Sequence, residues 1–264
     1  MDTNGQYALV TGASSGIGRE LAWKFAENGF DLLVCAEDSS IESVAADLSQ
    51  SGAHVEALRV DLRKAANIDK LCESFSRSTR PLDAVALNAG VGHGGAFVES
   101  SIESQLEVID LNVRSTVQLA HFVLRGMIAR GSGCVLVTSS IASTMPGSFQ
   151  SVYNASKAFL QSFGEALQNE LKGSDVTLTL LMPGPTDTEF FERAGMEDTA
   201  VGQGSKDDPA DVARQGFEAL MAGDKRVVST SIKTKVQEMA NRVIPDQLKA
   251  ELHRKMAEPG SGKD

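Results

Sequence analysis

Short aliphatic runs recur along this chain: YALVT at 7–11, DLLVCA at 31–36, HVEALRV at 54–60, DAVALN at 83–88, CVLVTSS at 134–140 and VTLTLLM at 176–182. Most are apolar at successive rather than alternate positions, so a strand built from them needs cover on both faces. The stretches between them carry helical periodicity. In the first, Ile17, Leu21, Ala22, Phe25 and Ala26 fall on one stripe, and Asn28-Gly29 supplies a C-terminal stop. This alternation predicts βαβ units throughout. The expected fold class is α/β, a three-layer doubly wound parallel sheet in a single domain.

A chain of 264 residues can bury a full core in one such domain, expected over 1–258. Thirty-five acidic against twenty-five basic residues give a net charge of −10, which repels nucleic acid and anionic membrane surfaces and leaves small molecules as the expected partners. The N-terminus has no basic region followed by an apolar run, and nowhere do eighteen apolar residues follow one another; a cytoplasmic protein is expected. Cys35, Cys72 and Cys134 are scattered, and His54, His93, His121 and His253 show no ligand spacing, so neither disulfides nor a metal site is supported. GMEDTAVGQGSKDD at 195–208 lacks periodicity and reads as a mobile loop, part of a substrate loop near 189–208. PGSGKD at 259–264 reads as a disordered tail.

Chemistry first shows in TGASSGIG at 11–18, between the first strand and the first helix. Gly12, Gly16 and Gly18 permit a tight turn and close backbone approach, and the helix behind them offers free N–H groups to a pyrophosphate. The spacing is GxxxGxG rather than GxGxxG, and such a turn is also simply a tight connection. NAG at 88–90 closes the fourth strand, which in a doubly wound sheet lies beside the first. The two glycine turns are expected to converge. Farther on, Tyr153 and Lys157 in YNASK stand four positions apart, a spacing that stacks them on one helix face.

TGASSGIG, NAG, Asn112 in DLNVRS, Ser139-Ser140, YNASK at 153–157 and PGPTDT at 183–188 together, and in this order, resemble the short-chain dehydrogenase/reductase family. The resemblance covers roughly residues 6–190. It implies a Rossmann-type sheet of about seven strands and a nicotinamide cofactor. It also implies Tyr153 as general acid/base, Lys157 as its partner, Ser140 as ligand of the substrate oxygen, and Asn112 as the water-holding member of the tetrad. Cofactor contacts are implied for Gly12, Ser14, Ser15, Gly16, Ile17 and Gly18 in the first turn and for Asp61 and Leu62 after the third strand. They are implied as well for Asn88, Ala89 and Gly90, for Tyr153 and Lys157, and for Pro183, Gly184, Thr186 and Thr188.

A free tyrosine titrates near pH 10, so about one in a thousand is ionised at pH 7, a handicap of about 4 kcal/mol for a base. Lys157 on the same face and a positive nicotinamide ring are expected to lower it. Other residues keep two readings. Asp61 either contacts adenine or caps a helix, and Thr188 either orients the cofactor or caps EFFERAG. His93 lies near the expected cleft, where a loop histidine is commonly just solvated. Phe149 and Gln150 are expected to face the substrate, and Met145, Met182 and Phe190 are either cavity wall or core.

The expected activity is NAD(P)-dependent interconversion of a ketone and a secondary alcohol on a small to medium, largely apolar substrate. The alternatives are an epimerase or dehydratase that retains its nicotinamide, and a dinucleotide-binding regulator without catalysis. Glu37 and Asp38 after the second strand put negative charge where a 2′-phosphate would lie, favouring NAD over NADP, although relatives that prefer NAD place their aspartate at the position of Ala36. SQLEVIDLNVRSTVQLAHFVLRGMIA and VYNASKAFLQSFGEALQNELK are apolar on more than one face, which predicts a homodimer or homotetramer. Near the C-terminus, Ile232, Val236, Met239 and Val243 form one stripe and Leu248, Leu252 and Met256 another, either of which could cover the cleft.

Overall fold

The computed structural model describes residues 5–77, 80–228 and 245–262. Seven parallel strands form one sheet in the order β3-β2-β1-β4-β5-β6-β7. They are β1 (Tyr7–Thr11), β2 (Asp31–Ala36), β3 (Val55–Arg59), β4 (Ala84–Leu87), β5 (Gly133–Thr138), β6 (Val176–Met182) and β7 (Arg226–Val228). The order reverses between β1 and β4, whose C-terminal ends therefore border the crevice typical of such sheets. The helices are α1 (Gly16–Glu27), α2 (Ser40–Ser49), α3 (Ala65–Arg77), α4 (Ile102–Ile109), α5 (Ser115–Arg130), α6 (Ser151–Glu170), α7 (Phe190–Arg193), α8 (Ala200–Gln203), α9 (Pro209–Ala222) and α10 (Asp246–Ala257). A π-helical turn over Asp110–Arg114 joins α4 to α5.

Strand side chains alternate between two cores. Leu9, Leu33, Val85, Val137 and Leu180 point into one, packed against Leu71, Leu119, Val123 and Leu160 of α3, α5 and α6. Ala8, Val10, Val34, Ala86 and Leu136 point into the other, against Leu21, Phe25, Leu48 and Phe217 of α1, α2 and α9. Phe25 meets Phe30 and Phe217 edge to face, each at 5.1 Å between centroids, which ties α9 back to α1 although about 190 residues separate them. All six runs of the sequence form strands. The seventh, β7, is a three-residue edge strand, too short for periodicity to reveal.

Two segments differ from expectation. Within 189–208 the chain forms α7 and α8 rather than continuous loop, because Thr199 caps α8 through Gly202 N and Phe191, Ala194 and Met196 bury a small core of their own. The tail is tied down as far as Gly262. Gly262 N donates to Asp198 O at 2.8 Å, Gly260 N to the Asp198 carboxylate at 2.7 Å, and Ala200 N to Ser261 Oγ at 3.0 Å. The stripe Ile232, Val236, Met239 and Val243 lies outside the described residues. On α10, Leu248 and Leu252 are exposed, and the helix turns His253, Met256 and Ala257 inward instead.

Candidate active site

The turn after β1 is shaped by what it must approach. Gly12 has φ +67°, and a Cβ there would sit 2.9 Å from the Ala89 Cα. A Cβ on Gly18 would lie 2.0 Å from Gly12 O and 2.5 Å from Asn88 Nδ2, so only glycine lets α1 start this close to the turn. The two glycine turns do converge. Thr11 locks them together, its Oγ1 accepting from Asn88 N and Ala89 N, each at 3.0 Å. Thr11 belonged to the first motif, but nothing in its sequence setting marked it as the clamp. Ser15, at the N-cap of α1, makes no side-chain bond to the helix, which leaves the first N–H groups open toward the crevice.

A cavity of about 660 Å³ runs from this turn across the C-terminal ends of the strands. Gly12, Ser14, Ser15, Gly16 and Ile17 line one end with Glu37, Asp38, Asp61 and Leu62; Gly18 lies behind, in the packing of α1. Asn88, Ala89, Gly90, Pro183, Gly184, Thr186 and Thr188 line the middle, and Ser140, Tyr153 and Lys157 the far part. Asn112 stands behind that wall. These residues fit a dinucleotide: a backbone cradle where a Cβ would collide, an open helix N-terminus for phosphate, and Ile17, Val60 and Leu62 as apolar wall for a planar base.

β5 ends at Thr138, just before Ser139 and Ser140, and α6 presents Tyr153 and Lys157, so Ser140, Tyr153 and Lys157 meet where the strand end and the helix cross. Lys157 is buried, with Nζ donating to Thr138 O at 2.9 Å and lying 5.8 Å from the centre of the Tyr153 ring. The Ser140 hydroxyl is within hydrogen-bonding reach of the phenol. A Cβ on Gly90 would be 3.2 Å from both Lys157 Nζ and Asn112 Oδ1, which places both groups close against the NAG turn. Asn112, in the π-helical turn, spends its amide on the scaffold: Oδ1 accepts from Val91 N, and Nδ2 donates to Val91 O and Ser156 Oγ, all at 2.9 Å.

Burial pushes the Tyr153 phenol up to about 12, only partly offset by the bond from Ser140, and pulls the Lys157 ammonium down to about 8. Burial and the Ser140 bond, not Lys157, set the direction of the phenol's shift here. Desolvation disfavours both charged forms, and the ammonium is anchored to Thr138 O rather than to the phenol.

At the opposite end, Arg63 organises the acidic residues. Its guanidinium bonds the Glu37 carboxylate, Asp61 at 2.8 Å and Glu107 at 3.3 Å. Asp61 also accepts from Arg63 N, closing a turn ahead of α3 rather than capping that helix, while its side chain lines the cavity; burial raises its carboxyl, and the Arg63 bonds outweigh this to leave it below the usual range. Asp38 accepts from Ser14 Oγ at 2.8 Å, directly beside the glycine turn. Thr188 Oγ1 accepts from Phe190 N at 3.3 Å at the start of α7, its methyl fills the space beside Gly16, and the residue lines the cavity.

His93 is not among the cavity residues, whereas Phe190, Met145, Gln150 and His253 are; Phe190 packs 5.2 Å from the Tyr153 ring, while Met182 is wholly core. Neither Arg63 nor His253 carried a signal in the sequence.

The short chain dehydrogenase family model matches residues 6–198. The uncharacterized oxidoreductase YmfI of Bacillus subtilis (strain 168) is 32% identical over 189 residues, covering 70% of this chain and 77% of that protein. Among solved structures, a short chain dehydrogenase/reductase from Burkholderia phymatum in complex with NAD matches with a TM-score of 0.83 at 25% identity, covering 98% of this chain and 99% of that one. A short-chain dehydrogenase from Sphingobium yanoikuyae in complex with NADPH matches with a TM-score of 0.78 at 27% identity, covering 90% and 93%. With the glycine cradle, the strand order and the Ser140, Tyr153 and Lys157 cluster already in place, this chain belongs to the short-chain dehydrogenase/reductase family of oxidoreductases.

Proposed function

We propose that the protein interconverts a ketone and a secondary alcohol of small to medium size and largely apolar character, with NAD(H) preferred over NADP(H). The reading rests on one observation: Ser140, Tyr153 and Lys157 meet in the same cavity as the glycine cradle. Gly12, Ser14, Ser15, Gly16, Ile17, Asn88, Ala89 and Gly90 would hold the dinucleotide, with Gly18 shaping the turn from behind and Pro183, Gly184, Thr186 and Thr188 flanking the nicotinamide. When bound, the nicotinamide supplies or accepts the hydride.

The remaining chemistry belongs to the chain. Ser140 Oγ donates to the substrate oxygen and fixes it against the phenol. In the reductive direction Tyr153 Oη gives its proton to that oxygen, and a phenol held at about 12 keeps this proton at neutral pH. In the oxidative direction Tyr153 must take the alcohol proton, and positive charge beside it is needed to make the phenolate accessible. Lys157 is the chain's own source of that charge, and it remains largely protonated below about pH 8. Asn112 acts through the scaffold, holding Gly90-Val91 against α6, and is the proposed anchor of a water leading to Lys157. Phe190 and Met145 supply apolar wall on the substrate side.

The preference for NAD(H) rests on Glu37 and Asp38 beside the cradle. A homo-oligomer is proposed from the exposed apolar residues on α4, α5 and α6. The direct test is a panel of ketones and secondary alcohols with each cofactor, followed at the absorbance of the reduced nicotinamide. Turnover of some pair that Tyr153→Phe abolishes is the expected result, and cofactor binding without turnover of any pair would remove the proposal.

A further inference from the structure

His253 is a buried ionisable group of the cavity wall that the proposed chemistry leaves unused. It lies on α10, about 100 residues beyond Tyr153 in sequence, and lines the same cavity. Its Nδ1 is 2.9 Å from the Ser148 carbonyl oxygen. A carbonyl can only accept, so Nδ1 carries the ring proton, and burial holds the imidazole below its usual pKa and hence neutral. Nε2 then keeps a bare lone pair, and no donor among the described residues bonds it. The same cavity is lined by Met256, one turn further along α10, and by Met145, Phe190 and Phe191.

Gln150 presents a second unused polar group. It is buried, lines this cavity three residues before Tyr153, and its amide has no hydrogen-bond partner among the described residues. The loop that carries it is held firmly. Phe149 takes φ +62°, a left-handed conformation that a non-glycine residue adopts only under constraint, and Gly95 N donates to its carbonyl at 2.9 Å. Ser148 Oγ donates to Ala250 O at 3.0 Å, and the Arg254 guanidinium stacks 5.6 Å over the Phe149 ring. α10 and the loop 148–150 are thus locked to each other, and the imidazole is positioned as firmly as the loop that leads into Tyr153.

We propose that His253 Nε2, with the Gln150 amide, forms a second anchoring point that accepts a hydrogen bond from a hydroxyl on the substrate, remote from the reacting carbon. The substrate class is then a hydroxyketone and the corresponding diol. This deepens, and rests on, the ketone and alcohol reading. An all-apolar ketone in the cavity would strip water from Nε2 and return nothing, whereas a hydroxyl satisfies it; a bonded against an unpaired buried acceptor makes a roughly ten- to hundredfold difference in affinity. Gln150, with both donor and acceptor, can complete the hydroxyl's bonding.

The test compares 2-alkanones with ω-hydroxy-2-alkanones of graded chain length. Their dissociation constants are measured by calorimetry on the protein loaded with oxidised cofactor, where ketones bind without turnover, and kcat/KM is measured with reduced cofactor. At the chain length that spans from Ser140 to His253, the hydroxyketone should bind at least tenfold tighter than its parent. In His253→Asn, the amide can still donate to Ser148 O but has nothing in the place of Nε2, so the ratio should fall to near one. Gln150→Leu, which leaves α10 untouched, should reduce the ratio as well. Equal binding of both series by the wild type, or a ratio that survives His253→Asn in protein that still binds cofactor, overturns the anchoring point alone. If neither series binds or reacts at any length while the cofactor binds, the ketone and alcohol reading fails, and the second anchor falls with it.

Discussion

Tyr153 and Lys157 register the same burial in opposite directions, one phenol near 12 and one ammonium near 8. Tyr153→Phe removes a proton donor and almost no volume, so it should fold, bind cofactor and lose at least about two decades of kcat/KM in steady-state assays. The wild-type oxidative rate should rise between pH 6 and 9, because the phenolate is the scarce form. For Lys157 the stability consequence has a definite sign. Between pH 8 and 10.5 the unfolded chain holds a proton that the folded chain has lost, so stability gained from this group rises with pH through that window. The burial penalty is full at pH 7 and mostly relieved at pH 10. Lys157→Met should therefore be more favourable at pH 7 than at pH 10 by about 2–3 kcal/mol in urea unfolding of the ligand-free protein. A difference of the opposite sign would mean that the ammonium is stabilised where it sits. At the other end of the cavity, Arg63 compensates Glu37 while Asp38 stands beside Ser14. Asp38→Asn should accordingly shift the kcat/KM ratio toward NADP(H) more than Glu37→Gln, by about tenfold if the carboxylate lies near 4 Å from a 2′-phosphate. A wild type that already favours NADP(H) would remove the charge argument.

The β1-turn-α1 unit was legible in TGASSGIG because glycine is demanded wherever backbone must approach backbone, and the required position then shows in the sequence. Gly18→Ala should lose cofactor binding and cost more than the usual 1–3 kcal/mol of overpacking, since its Cβ would meet Gly12 O at 2.0 Å and neither backbone segment can yield. Fluorescence titration with reduced cofactor and thermal unfolding would check both halves. The stretch between α7 and α9 was not legible as structure. Its order comes from Thr199 capping four residues and from Phe191, Ala194 and Met196 packing together, a pattern too short to carry a period. α10 misled in a related way. Leu248 and Leu252 of its apolar stripe stay exposed and only Met256 reaches the cavity, while the helix turns His253 and Ala257 inward, with the Ser148 carbonyl and the Phe149 ring as partners of His253 and Arg254.

On the molecular scale, Ile102, Leu106 and Ile109 of α4, Phe122 and Ile128 of α5 and Phe159 of α6 remain exposed on the side of the sheet that carries α5 and α6. That is more large apolar surface than a lone domain needs on three adjoining helices, and self-association is the expected remedy. Light scattering should return a dimer or tetramer at micromolar concentration, and Leu106→Glu combined with Phe159→Glu should shift it toward 28.0 kDa. A stable wild-type monomer would refute the expectation. No helix among the described residues is long and apolar enough to cross a membrane.

What the sequence determined by itself is whatever local chemistry demands: six strands from aliphatic runs, most of which need cover on both faces, the first turn from glycines that admit no Cβ, and a Tyr153-Lys157 pair from one helical spacing. Tertiary structure decided what depends on distant partners. Arg63 bridges Glu37 and Glu107 across three segments of chain, and β7 is a strand only because β6 lies beside it. His253 enters the cavity because Ser148, 105 residues earlier, offers its carbonyl. The difference is physical: a steric or periodic requirement is written at the residue that meets it, whereas a hydrogen bond between remote segments leaves no trace until the chain has folded and water has been excluded around it.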